Sequence, residues 1–165
     1  MAPRDCCVGP GADPSRASPI PVPSFSVRQS LPHPRPDIFD LVADIERYPE
    51  FVPGWQEARI LRKADDRRHV EQAVGIRGLV WRFRTEAELE RPRRIEIHGA
   101  GGPVRRLHQV WRFEERQTGG TLVELWTDYA LRGGPAATVA GPFFRRHTEE
   151  VVAAFRRRAN AMFRD

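Results

Sequence analysis

Between residues 70 and 131 the chain alternates apolar or neutral residues with charged ones at a period of two, through run after run. Val70, Gln72, Val74 and Ile76 share one parity. Leu79, Trp81, Phe83, Thr85, Ala87 and Leu89 continue it, followed by Ile95 and Ile97, by Leu107, Gln109, Trp111 and Phe113, and by Val123, Leu125, Thr127, Tyr129 and Leu131. The other parity carries Arg82, Arg84, Glu86, Glu88, Glu96, Arg112, Glu124 and Asp128. Successive strand side chains point to opposite faces, so the pattern is that of an antiparallel sheet with one dry and one wet face. The dry face is poor in carboxylate, histidine and lysine, the groups of general acid/base catalysis, and suits the holding of an apolar molecule better than its conversion.

Residues 1–24 are rich in Pro, Gly, Ser and Ala and nearly devoid of large apolar side chains, so they are expected to be a disordered tail ahead of one domain spanning 25–165. Phe25, Val27, Gln29 and Leu31 alternate as a first strand. Pro36 then opens a helix carrying Ile38, Phe39, Leu41, Val42 and Ile45, with Asp37 well placed for its dipole, and Pro49 and Pro53 confine a second short helix to Glu46–Phe51. Six strands follow. A tight turn at Arg77-Gly78 pairs Ile76 with Leu79, Val74 with Trp81 and Gln72 with Phe83. A loop containing Gly119-Gly120 pairs Phe113 with Val123, Trp111 with Leu125 and Gln109 with Thr127. The stretch Trp55–Lys63 has ambiguous parity. A long helix runs to Phe163, with a break expected at Gly141-Pro142. Its apolar stripe is Phe144, Val151, Val152, Phe155, Ala159 and Met162. These elements predict an α+β fold: a curved seven-stranded antiparallel sheet, two short helices after strand one, and a long C-terminal helix across the concave face.

The formal charge is +5, carried by arginine with Lys63 as the one lysine, which draws the chain to anionic surfaces, lipid or RNA, without choosing between them. No segment has the length or hydropathy of a membrane span or a signal peptide, so a cytoplasmic location is expected, with peripheral attachment to a membrane inner face open. Cys6 and Cys7 sit side by side, without the spacing of a structural disulfide or zinc site.

The motifs DIFDLVADIERYPEFVP (Asp37–Pro53), GPVRRLHQVWRF (Gly102–Phe113) and VVAAFRRRANAMF (Val151–Phe163) resemble the coenzyme Q-binding proteins of the START-like superfamily. That group includes ribosome-association toxins and lies near the polyketide cyclases. The resemblance implies a helix-grip fold with an elongated hydrophobic tunnel between sheet and C-terminal helix, a polyprenyl quinone or similar lipid as ligand, and no resident cofactor or DNA partner. The chain departs from the family pattern at Val104, where phenylalanine is usual, and at Trp55, where a small polar residue or cysteine is usual.

On these grounds the candidate ligand-binding residues are Trp55, Val74, Trp81, Phe83, Val104, Leu107, Gln109, Trp111, Phe113, Leu125, Tyr129, Phe144, Val151 and Phe155, with no catalytic or metal-binding residue. Gln109 and Thr127 are expected to satisfy each other across strands, and Tyr129 to bond the backbone. Arg105, by parity with Leu107, either points toward the mouth, where its guanidinium meets a headgroup oxygen or phosphate, or stands as a solvated strand-end arginine. Arg158 falls within the helix stripe and requires a structural or mouth-lining partner. GAGGP (Gly99–Pro103) reads as a flexible hairpin connection at the rim. His33, His69, His98 and His108 fall on loops or the wet parity without a second ligand at helical spacing, and His147 flanks the helix stripe. Trp126 stands among charges on the wet face, a possible contact for a partner or membrane. Three functions are compatible with this layout: a non-catalytic carrier of a hydrophobic molecule, a ribosome-associating inhibitor using the helix arginines, and a polyketide aromatase/cyclase using Tyr129 with Arg105.

Overall fold

The computed structural model describes residues 24–76, 78–102, 104–132 and 136–164, without the side chains of 76, 79 and 136–143. The tail with Cys6 and Cys7, together with Arg77, Pro103 and Gly133-Gly134-Pro135, lies outside the described residues. The strands are β1 (Ser24–Leu31), β2 (Trp55–Lys63), β3 (Arg67–Ile76), β4 (Leu79–Glu90), β5 (Arg94–Gly101), β6 (Val104–Glu115) and β7 (Thr121–Leu131). They form one curved antiparallel sheet in the order β1-β7-β6-β5-β4-β3-β2. The meander from β2 to β7 needs only hairpins, whereas β1 must cross to the far edge, and the helical segment after it makes that crossing. This segment holds α1 (Arg35–Ala43), a 3₁₀ turn (Ile45–Arg47) and α2 (Tyr48–Phe51). The second helix foreseen over Glu46–Phe51 is thus divided, because Pro49 fits only the first turn of a new helix.

Both hairpin registers follow the parity arithmetic. Val74 faces Trp81 and Gln72 faces Phe83 on β3–β4, and Trp111 faces Leu125 and Gln109 faces Thr127 on β6–β7. The ambiguous parity of β2 has a physical cause: its pairing with β3 shifts between Trp55 and Glu57 and again between Ile60 and Arg62. Each bulge inserts a residue and exchanges the faces, so no single alternation runs the length of the strand.

The long helix α3 spans Ala136–Met162 without the expected break, Gly141-Pro142 lying inside it. Its stripe is buried through Val151, Val152, Phe155 and Ala159, but Met162 is 47% exposed and falls off the core. Among the described residues no helix is long and apolar enough to cross a membrane. Two further positions differ from expectation. β5 continues through Gly99 and Ala100 to Gly101, so the connection to β6 is shorter than the whole GAGGP stretch. Gly101, at φ 147°, is required there: a Cβ would stand 2.8 Å from the Cα and Cβ of Phe83. His33 is buried rather than exposed on a loop, its Nε2 2.8 Å from Asn160 Oδ1 while its carbonyl accepts from Thr121 Oγ1 at 2.8 Å.

The core lies under α1, α2 and the C-terminal half of α3, where Phe113 meets Phe39 edge-on at 5.4 Å. Phe113→Ala is expected to cost about 3–5 kcal/mol of stability, read by urea denaturation, since the cavity it leaves is walled by strands and helix on all sides.

Candidate functional site

The inward residues of β3, β4, β6 and β7 do not all reach α3. Between them lies an elongated cavity of about 120 Å³ running from Ile45 and Ile97 to Trp81 and Val104. Twelve of the fourteen candidate residues line it: Trp55, Val74, Trp81, Phe83, Val104, Leu107, Gln109, Trp111, Leu125, Tyr129, Phe144 and Val151. Phe113 and Phe155 do not. Phe113 faces Phe39, and Phe155 packs between Tyr48, Phe51 and Trp111 at 5.0, 5.1 and 5.3 Å. Both lie at the closed end, where the helix touches the sheet. An apolar cavity of about 150 Å³ admits a benzene-sized guest, so this slot as closed holds one ring, and a long prenyl tail requires α3 to move away. A second void of about 40 Å³ adjoins it, sharing Ile45, Tyr48, Gln72, Thr85 and Ile97.

The polar groups of the lining are arranged in chains. Trp55 Nε1 donates to Gln72 Oε1 at 2.8 Å, and Gln72 Nε2 donates to Thr85 Oγ1 at 2.9 Å. Because Gln72 and Thr85 border both voids, this chain stands at their junction. Gln109 Nε2 donates to Thr127 Oγ1 at 3.2 Å, the mutual pairing that the register implied. Tyr129 differs. Its ring is held between Phe144 at 4.7 Å and Phe25 at 6.3 Å, and the residue is 2% exposed, yet its hydroxyl bonds neither backbone nor side chain among the described residues. Burial raises its pKa, so it is a neutral donor. His147 stacks on Trp55, ring centroids 6.1 Å apart and planes 8° apart, and burial lowers its pKa against an opposing effect of Glu150. It is therefore a wall residue of the cavity.

Of the two arginines, Arg105 does not reach the mouth and Arg158 takes a structural partner. Arg105 is exposed, because β6 shifts register between Val104 and Arg106; the extra residue turns Val104 inward in its place. Arg158 is structural: Nη2 binds Glu50 Oε2 at 2.7 Å and the guanidinium lies 5.2 Å from the Phe51 ring centroid. Sequence reasoning missed Ile45, Tyr48, Ile97, Thr148 and His147 as lining residues. The dry-face parity already included Ile97 and the first helix's apolar set Ile45, and the pattern of α3 puts His147 four residues before Val151, so sequence signals existed for these three. It also missed a cluster on the wet face, where Glu96, His98 and His108 converge, with Trp126 edge-on against His108 at 5.0 Å. Trp126 is thus a packing residue of that cluster.

Two outcomes test this description. Gln72→Leu strands the Trp55 indole N–H and the Thr85 hydroxyl in the interior and is expected to cost roughly 1–3 kcal/mol in chemical denaturation. His147 has a folded pKa below its ordinary 6.5, so the unfolded chain binds the extra proton first as pH falls. Stability is expected to decline below about pH 6.5, and His147→Asn to flatten that decline in denaturation curves taken across the window.

With this geometry in hand, the relatives are informative. Residues 31–156 match the family model described as polyketide cyclase / dehydrase and lipid transport. A ribosome association toxin, RatA of Pseudomonas aeruginosa, is 35% identical over 133 residues, covering 81% of this chain and 92% of that protein. Among solved structures, the ZhuI aromatase/cyclase of a Streptomyces strain superposes with a TM-score of 0.80 at 16% identity, covering 87% of this chain and 96% of its own. The 18 kDa protein CC1736 of Caulobacter crescentus gives 0.70 at 26% identity, covering 84% and 97%. The sheet, the crossing helices and the long C-terminal helix thus belong to a known architecture, and the chain is a member of the START-like polyketide cyclase / dehydrase and lipid transport family.

Proposed function

We propose that the protein binds a small, flat, carbonyl-bearing hydrophobic molecule in the cavity between sheet and α3, and holds it without converting it. The observation that carries this reading is the Tyr129 hydroxyl, buried at the cavity wall with no partner among the described residues. An unpaired buried hydroxyl costs roughly 1–3 kcal/mol, and a ligand carbonyl would recover it. Trp81, Phe83, Trp111 and Phe144 supply flat apolar surface around that donor. A quinone ring meets both requirements, and its tail would thread past the Gln72–Thr85 hydrogen bond toward the smaller void once α3 shifts. The lining contains no carboxylate, lysine or cysteine, and its ionisable groups, Tyr48, Tyr129 and His147, are held neutral by burial, which favours retention over chemistry.

A second reading is favoured by a separate observation, the 35% identity to a ribosome association toxin. On α3 the exposed guanidiniums of Arg156 and Arg157 have no ion-pair partner among the described residues, whereas Arg145 and Arg146 approach Glu149 and Glu150 one turn on at 3.5 and 3.6 Å. Arg156 and Arg157 are the helix cations free to meet RNA phosphate.

Organic extraction of the purified protein followed by mass spectrometry is expected to yield a ring-bearing hydrophobic molecule, and Leu107→Trp, which fills the slot, to yield none. In a fluorescence titration with a short-chain quinone, Tyr129→Phe is expected to weaken binding about 2–10-fold, the value of one hydrogen bond. An empty extract together with wild-type affinity in Tyr129→Phe would end the carrier reading. Co-sedimentation with ribosomal subunits that fades as salt rises, and that Arg156→Ala/Arg157→Ala weakens, would establish the second.

A further inference from the structure

The wet face of the sheet carries a feature that ligand holding in the cavity does not use. The antiparallel registers place His69 opposite Glu86, Glu86 opposite His98, His98 opposite His108 and His108 opposite Asp128, a row of ionisable side chains crossing five strands. Within it, His108 Nε2 lies 2.7 Å and His98 Nε2 3.4 Å from the same Glu96 oxygen, Oε1. The two imidazoles are stacked, centroids 4.2 Å apart and planes 17° apart, so their ring nitrogens are brought to one point. One ligand atom from each of the three residues falls within a 4.8 Å sphere of separations.

The His98–Glu96 separation is that of neighbouring ligands in a coordination shell, whereas the His108–Glu96 contact is a hydrogen bond whose proton a cation would replace. With metal–nitrogen and metal–oxygen bonds of about 2.0–2.2 Å, the ligand atoms of a tetrahedral zinc site stand about 3.3 Å apart. The partners that orient such ligands are also present. Arg94 Nη2 binds the other Glu96 oxygen and aims Oε1 at the imidazoles, and the Trp126 edge fixes the His108 ring.

We infer that Glu96, His98 and His108 form a binding site for a borderline divalent transition cation of the zinc class on the face of the sheet opposite the cavity, with water completing the shell. Imidazole and carboxylate together select such a cation over magnesium or calcium, which prefer all-oxygen shells. Bound there, it would tie β5 to β6 from the outside.

The test uses the full chain with Cys6→Ser and Cys7→Ser, freed of any affinity tag, so that tail thiols cannot supply the ligands. Titration with Co2+, a spectroscopic substitute for Zn2+, is expected to give saturable visible bands of a four-coordinate site that Zn2+ then abolishes. His98→Ala and His108→Ala are each expected to weaken Co2+ binding at least about tenfold with unchanged circular dichroism. In the unsubstituted site, the ring proton signals of both histidines should shift on Co2+ addition, a readout independent of whether either variant folds. Absence of saturable binding, bands that persist in either folded histidine variant, or ring signals that do not move would each overturn the assignment.

Discussion

The aromatic contact that clamps α3 to the sheet at one end governs the rest of the molecule. Phe155 sits edge-on against Trp111, Tyr48 and Phe51, and Tyr48 is itself locked by a 2.6 Å hydrogen bond from its hydroxyl to the Val42 carbonyl. The adjacent Arg158–Glu50 pair fastens α2 to the same helix. The clamp lies at the C-terminal half of α3, while Phe144 nearer its N-terminal end packs on Tyr129 beside the cavity. The cavity opens where interdigitation stops. Trp111 belongs to both regions, its ring contributing to the clamp and to the cavity wall. Two side chains of similar apolar character, Phe155 and Phe144, thus have different duties on one helix: the first fills space and the second bounds it.

The two faces of the sheet solve opposite electrostatic problems. The wet face zips arginine to carboxylate across strands, as in Arg82–Glu57 at 2.9 Å, Arg84–Glu71 at 2.9 Å and Arg67–Glu88 at 2.6 Å. Exposed pairs of this kind add little stability, but they neutralise a densely charged surface and leave the surplus cations elsewhere, including the outer side of α3. The dry face instead pairs its neutral polar groups internally, tryptophan to glutamine to threonine and glutamine to threonine. The Tyr129 hydroxyl, buried in the same wall, has no hydrogen-bond partner among the described residues.

Family membership is compatible with either duty, since its relatives and structural neighbours include both a ribosome association toxin and an aromatase/cyclase. The distinction between them therefore lies in side chains. Arg105, which the cyclase reading paired with Tyr129, is exposed outside the cavity lining, removing the partner that reading invoked. The polar groups of the wall are donors and acceptors without charge.

Much of this was legible in the residues themselves. Side-chain alternation has a period of two and tight turns fix register, so the inward set, the pairing of Val74 with Trp81 and that of Trp111 with Leu125 follow from counting. Counting fails wherever an extra residue enters. The bulges in β2 hid its faces, and the one after Val104 turned Arg105 outward. It also fails for neighbours distant along the chain. Parity placed His98, His108 and Glu96 on one face, but only the β5–β6 pairing set their nitrogens and oxygen within reach. The apolar face and the apolar stripe were fixed by composition and spacing alone. Whether the space between them is filled, as around Phe113 and Phe155, or hollow, as around Tyr129, was decided by the tertiary structure, because it depends on how far a rigid helix stands from a curved sheet, a distance of a few ångströms that no local pattern encodes.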